Sequence, residues 1–324
     1  MHRTGEFLRR ILVGLVLVVG CLSVKSNAAT TKVYWTDWFS DTIQRADPDG
    51  SNVETLVSGL DDPSGLAVDD QAGKIYWANR MTGQVQRANL DGSDVGVVSH
   101  VSPGDSEAMV QDVALDAAEG TLYCTYITVG DFNNTFGRVC QMNTDGSGVE
   151  DLVTFSGNVG DIAVDPADDK LYWDVGVIES ADLNGGNRQE LFSSELQCNG
   201  ITLDAASDTL YWTNNWGKRI EAGNTDGTGR TTLVPTLDSE VDDIDAPEAI
   251  AVDPDAGRMY WTDIDVTRGD YGIYRADTDG ENAEYIAYAY NARGVGTGPV
   301  PEPASLTLLA VGAIGLLGRR RRRS

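Results

Sequence analysis

His100 is the one histidine left once the N-terminal leader, which carries His2, is set aside. General acid–base or nucleophilic chemistry at neutral pH leans on an imidazole held against a hydroxyl, thiol or carboxylate. One histidine among scattered serines builds no such pair unless His100 itself reaches one. Oxygen ligands are better supplied: Asp238, Glu240, Asp242, Asp243 and Asp245 crowd a single segment. Carboxylates at that density suit Ca²⁺, and Asp242, Asp243 and Asp245 are the candidate ligands. Their spacing matches no EF-hand loop, so a solvated acidic loop is the competing reading. Aromatic rings are the third resource, with Trp38, Phe39, Phe132, Phe136, Trp216 and Tyr271 all between the regular segments described below. Such rings stack on sugars, anchor a protein partner, or fold back over the scaffold. Arg268, Gly269 and Asp270 spell an adhesion tripeptide in the same kind of segment, a weak signal on its own.

A repeat must position these residues. Tyr34-Trp35-Thr36-Asp37 recurs, with wear, as Tyr76-Trp77-Ala78-Asn79, Tyr123-Cys124-Thr125-Tyr126, Tyr172-Trp173-Asp174-Val175, Tyr211-Trp212-Thr213-Asn214 and Tyr260-Trp261-Thr262-Asp263. After each copy comes a turn ending in glycine, at Gly50, Gly92, Gly146, Gly185, Gly227 and Gly280. Asp-Gly or Asn-Gly between extended runs marks a hairpin, because glycine takes positive φ without a Cβ clash. Then follows a short apolar strand closing on Asp69, Asp116, Asp165, Asp204 or Asp253. Four short strands per unit, repeated six times, predict an all-β chain: a six-bladed β-propeller of four-stranded antiparallel blades. Strand alternation sends Tyr and Thr to one face of a blade and Trp and Asp to the other. The motif residues Tyr34, Trp35, Asp37, Tyr76, Trp77, Tyr172, Trp173, Tyr211, Trp212, Tyr260, Trp261 and Asp263 are therefore read as structural.

The six copies with their matching turns closely resemble the YWTD propeller of the low-density-lipoprotein receptor family. The resemblance covers about Lys32 to Pro299. It implies a ring in which C-terminal residues supply the strand missing at the N-terminus. No Leu-Ala-Val-Asp strand precedes Tyr34, while Gly294-Val295-Gly296-Thr297 follows the sixth unit where one is due. The receptors' cysteine-rich modules are absent, so endocytosis does not follow. Loop lengths add a polarity. The gap from the inner-strand Asp to the next Tyr is seven in all five cases, whereas every other interval varies. All variation thus falls on the 2–3 and 4–1 connections, on one face, where binding usually resides.

The two ends carry addresses. Residues 1–28 read as a secretory signal, with Arg3, Arg9 and Arg10 before an apolar core and Ser26-Asn27-Ala28 before a cut. Val18-Val19-Gly20-Cys21 offers lipidation at Cys21 instead. Residues 29–299 form the propeller and residues 300–324 a tail: Pro301-Glu302-Pro303, an apolar run, then Arg319, Arg320, Arg321, Arg322 and Arg323. This tail resembles the PEP-CTERM sorting signal of Gram-negative bacteria. It implies processing by an exosortase-type protease, with the membrane engaged only through the tail before processing.

Without the two end signals the body holds 15 basic against 48 acidic residues, a net charge of −33. That field disfavours nucleic acid and anionic membrane. Cys124 and Cys140 lie on adjacent strands of the third unit, a possible disulfide that export permits. The expected function is an exported, non-catalytic binding or scaffold protein of the cell surface or extracellular matrix. It would recognise a protein or polysaccharide through the variable-loop face. The alternative is a calcium-dependent, lactonase-like hydrolase in the central channel. Against it, the inner strands present mainly Ala, Leu, Val and Ile.

Overall fold

Tyr34 to Asp37 end the strand β1 (Thr31–Asp37), and every other copy of the motif likewise sits on a strand in the computed structural model, which describes residues 31–102, 108–129, 134–193, 198–235, 244–265 and 270–299. The first blade holds β1, β2 (Thr42–Ala46) and β3 (Glu54–Ser58). The second holds β4 (Pro63–Asp69), β5 (Lys74–Asn79), β6 (Gln84–Asn89) and β7 (Gly96–His100). The third holds β8 (Met109–Asp116), β9 (Thr121–Val129), β10 (Thr135–Asn143) and β11 (Glu150–Ser156). In the fourth are β12 (Ile162–Asp165), β13 (Lys170–Asp174), β14 (Ile178–Asp182) and β15 (Gln189–Phe192). The fifth has β16 (Cys198–Asp204), β17 (Thr209–Asn214), β18 (Arg219–Asn224) and β19 (Thr231–Val234). The sixth has β20 (Pro247–Asp253), β21 (Arg258–Asp265), β22 (Asp270–Asp277) and β23 (Glu284–Tyr288).

The last strand, β24 (Ala292–Pro299), returns to the first blade and pairs antiparallel with β1, Val295 opposite Trp35. The inner strands touch in the order β24, β4, β8, β12, β16, β20 and back to β24, so the ring is shut. Pairing with β24 covers the edge of β1, so the first blade matches the others in having four strands and a short, protected edge at the channel.

The period-2 alternation decides what lies between blades. Tyr34 packs with Ile75 and Trp77 of the second blade, while Trp35 packs with Tyr260 and Ile273 of the sixth. The same hand repeats: Tyr76 faces the third blade and Trp77 the first, Tyr211 the sixth and Trp212 the fourth. Trp35, Trp77, Trp173, Trp212 and Trp261 are all fully buried. Each such ring removes roughly 200 Å² from water, a gross contribution of about 5 kcal/mol before chain entropy is charged against it.

The turn glycines have a second task besides positive φ. A Cβ on Gly50 would lie 1.9 Å from the Ile286 carbonyl oxygen, and one on Gly146 would lie 2.0 Å from that of Val98. Each turn thus presses against the outer strand of the preceding blade, where only glycine fits. In the third blade Cys140 is directly opposite Cys124, and a disulfide joins them across a Cα–Cα distance of 5.2 Å.

Candidate functional site

Five of the six inner strands are bulged near their start, on the face of the variable connections. The register slips between Pro63 and Leu66, Val110 and Asp112, Cys198 and Ile201, Pro247 and Ile250, and along β24 opposite Thr36 and Asp37. A bulge re-aims a side chain and leaves it outside the ladder. Two residues before the partner of each motif Trp (or Cys124) stand Ser64, Gln111, Gly160, Asn199, Glu248 and Arg293. All six line one cavity of about 410 Å³ at the channel mouth, together with Asn158, Asp161, Asp174 and Cys198.

The motif threonines hold this rim in place. Thr36, Thr213 and Thr262 accept hydrogen bonds from the backbone N–H groups of Gly294 (2.8 Å), Gly200 (2.9 Å) and Ala249 (3.0 Å). Thr125 donates to the Gly160 carbonyl at 2.6 Å and Thr213 to that of Glu248 at 2.5 Å, in each case reaching the next blade. The motif Asp positions fasten the connections. Asp263 accepts the Ala246 N–H at 2.9 Å and Asp37 the Ser40 N–H at 2.9 Å, while Asp174, which stands in the threonine place of its copy, accepts the Asp161 N–H at 2.9 Å.

Negative charge collects below the rim. Asp112 is buried against Gly65, where a Cβ would come within 1.7 Å of its carboxylate, and it accepts the Ile162 N–H at 2.9 Å. Burial pushes Asp112 and Asp174 each up to about 7, against the favourable pull of backbone N–H groups. Asp161 is raised well above the usual carboxylate range, by burial first and then by the charges of Asp112, Asp174 and Glu248. Burial also raises Glu248, with Arg293 opposing. The thiol of Cys198, buried at this rim, is raised as well, mainly by burial.

Arg293 links the mouth to a strip of rings. Its guanidinium lies 4.5 Å from the centroid of Trp38 and bonds Asp62 Oδ1 at 2.8 Å. Trp38 meets Phe39 edge-on at 6.4 Å, Phe39 meets Tyr290 at 4.7 Å, and Tyr290 meets Tyr271 at 4.5 Å and Tyr288 at 6.5 Å. Phe39 is 63% exposed and Tyr288 58%. The strip therefore runs from the channel mouth outward over the junction of the first and sixth blades. Trp38, Phe39 and Tyr271 are brought together; Tyr288 and Tyr290 complete the strip and were missed.

Other candidates are placed differently. Tyr271 and Phe136 are on strands, paired with Ile264 and Thr128, because β21, β22, β9 and β10 run further than the turn spacing suggests. Asp270 is the first residue of β22. Trp216, in the β17–β18 connection, is 74% exposed and joins no ring cluster among the described residues. Asp245 is buried and ion-paired with Lys218. Phe132, Arg268, Asp238, Glu240, Asp242, Asp243, the leader and the Pro-Glu-Pro tail lie outside the described residues. His100 is exposed on the outermost strand β7, its Nε2 3.2 Å from the Gln84 amide nitrogen, away from the channel.

The channel itself is lined mainly by Ala, Leu, Val and Ile, as expected, and the carboxylates gather at its mouth. Asp112 and Asp161 immediately precede the apolar inner-strand residues, and Glu248 comes two positions before Ile250. The available signal was the repeat column Ser64, Gln111, Gly160, Asn199, Glu248, Arg293, where the copies disagree in chemistry inside an otherwise regular frame.

Comparison with known proteins places these features. Residues 31–69 match the low-density lipoprotein receptor repeat class B, and residues 299–323 match the PEP-CTERM protein-sorting motif. Low-density lipoprotein receptor-related protein 5 of Mus musculus is 44% identical over 64 residues, 20% of this chain and 4% of that protein. The chain spans from 4% to half the length of the curated relatives it matches. Among solved structures, a nidogen/laminin complex aligns at TM-score 0.67 with 20% identity, covering 82% of this chain and 98% of that one. A luciferin-regenerating enzyme aligns at TM-score 0.59 with 15% identity, covering 81% and 91%. At those identities the likeness is one of fold. The sorting motif implies export, membrane-anchored sorting and processing by exosortase-type machinery in Gram-negative bacteria.

Proposed function

We propose that this chain, a six-bladed propeller with a low-density lipoprotein receptor class B repeat and a PEP-CTERM sorting motif, is an exported binding or scaffold protein. It acts without catalysis at the cell surface or in the extracellular matrix, and it takes its ligand on the variable-loop face. The observation that carries this reading is the strip of Trp38, Phe39, Tyr271, Tyr288 and Tyr290, five adjoining rings of which Phe39 and Tyr288 are exposed and the others half-buried. The fold needs none of the exposed area of Phe39 or Tyr288. The net charge of −33 on the body argues against nucleic acid as partner. The test is retention of the exported protein on matrix isolated from the producing cells. Phe39→Ala with Tyr288→Ala should leave the melting temperature in place and release the protein from the matrix. Unchanged retention would refute the reading.

A channel enzyme is the second reading, favoured by Asp112, Asp161, Asp174 and Glu248 beneath the rim. Such hydrolases hold calcium with carboxylates and amides, and Asp161, Glu248, Asn158 and Asn199 line the mouth here as oxygen donors. Among the described residues no three His, Cys, Asp or Glu side chains converge as metal ligands. Asp112 and Asp174 already spend their carboxylates on backbone N–H groups. Lactone turnover abolished by EDTA would restore this alternative.

A further inference from the structure

We infer that the ligand of the loop face is a glycan carrying free amines, with its sugar faces on the aromatic strip and an amino-sugar unit seated in the channel mouth. This deepens the loop-face reading and rests on it. Three observations converge. Clustered rings, Phe39 to Tyr290 to Tyr271 at 4.7 and 4.5 Å and inclined at 72° and 59°, offer apolar edges and faces to the C–H groups of a sugar. The strip leads by way of Arg293 into a cavity of about 410 Å³, whose rim carries a hydroxyl, three amides and carboxylates. That is a lining for a compact polyhydroxylated unit with many donors and acceptors; an extended basic side chain would leave most of those groups unpaired.

Charge then selects among glycans. Asp161 and Glu248 line the cavity, and neither carboxylate accepts a hydrogen bond from a described residue. Among the described residues the cation at the rim is Arg293, already shared between Asp62 and the Trp38 face. An acidic sugar would meet the field of a body of net charge −33, with carboxyl groups that burial already disposes against carrying charge. An ammonium group supplies three donors and a positive charge that would draw the Asp161 and Glu248 carboxyls into their ionised form.

The experiment is calorimetric titration of the full chain, held in nonionic detergent, with short chitosan oligosaccharides. N-acetylated chitin oligosaccharides, oligogalacturonate and oligolysine of similar length are the controls. Chitosan should bind about tenfold more tightly than its acetylated form, and oligogalacturonate should not bind. Phe39→Ala with Tyr288→Ala should weaken chitosan about tenfold. Glu248→Gln should erase the preference for the free amine while leaving acetylated binding in place. Equal affinity for both sugars, or a match by oligolysine, overturns the inference. So does absent sugar binding when the Phe39/Tyr288 variant still loses matrix retention, an outcome that leaves the loop-face reading standing.

Discussion

Gly146→Ala should destabilise the ring far more than Gly257→Ala, although both residues have positive φ, 88° and 63°. At Gly257 an added Cβ finds nothing within 4 Å. Its cost is the left-handed backbone alone, about 1 kcal/mol. At Gly146 the same methyl would stand 2.0 Å from the Val98 carbonyl oxygen and 2.9 Å from its carbon. Neither atom is the end of a flexible side chain. Both belong to Val98, the bulged residue of β7, whose neighbours Val97 and Ser99 are held in register by β6. The second blade must then move away from the third, and overpacking of that kind adds roughly 1–3 kcal/mol. The total for Gly146→Ala is therefore about 2–4 kcal/mol. Both substitutions reduce unfolded-chain freedom alike, so that effect cancels in the comparison.

Urea denaturation followed by tryptophan fluorescence gives the two midpoints, and equal m-values make them comparable. Equal costs for the two variants would refute the idea that the turn glycines are fixed by blade-to-blade contact. They would then be ordinary hairpin residues.

Serine in place of Cys124 and Cys140 should lower stability by about 3 kcal/mol, from the loop of sequence separation 16 that the disulfide closes, and the difference from wild type should vanish when both are assayed in reductant. Asp161 has a raised pKa, as do Asp112 and Asp174 at about 7, so the folded ring binds more protons than the unfolded chain between the ordinary carboxylate range and neutrality. Their contribution is complete in acid and declines as pH rises through those folded values, and Asp161→Asn should raise the melting temperature at pH 8 but not at pH 4. A variant that melts lower at both pH values would contradict this sign. Deleting Pro301 to Pro303 should hold the protein in the inner membrane, scored by fractionation, and normal export after the deletion would break the link between that motif and sorting.

The scaffold was legible because its residues obey one rule six times. Tyr and Trp alternate under a period of two, so each motif commits its two large rings to opposite neighbours. The strand count then follows from the turns. The closing strand was legible only by position, for a physical reason: β24 is crowded by β4. A Cβ on Gly294 would fall 2.6 Å from the Ser64 carbonyl oxygen, and one on Gly298 would fall 2.4 Å from Val68 Cγ1 and 3.2 Å from its Cβ. Glycine is required there, and glycine carries no hydrophobic pattern to read. The mouth was hidden for a different reason. A bulge takes Gln111, Asn199 and Glu248 out of the alternation, so period-2 reading assigns them no face at all. Arg293 and Tyr290 sit outside every motif, in the segment that joins the sixth blade back to the first. That junction is where the repeat is broken, and so where side chains are free of the packing rule. Ring closure leaves this one seam, and the rings, the guanidinium and the mouth all meet beside it.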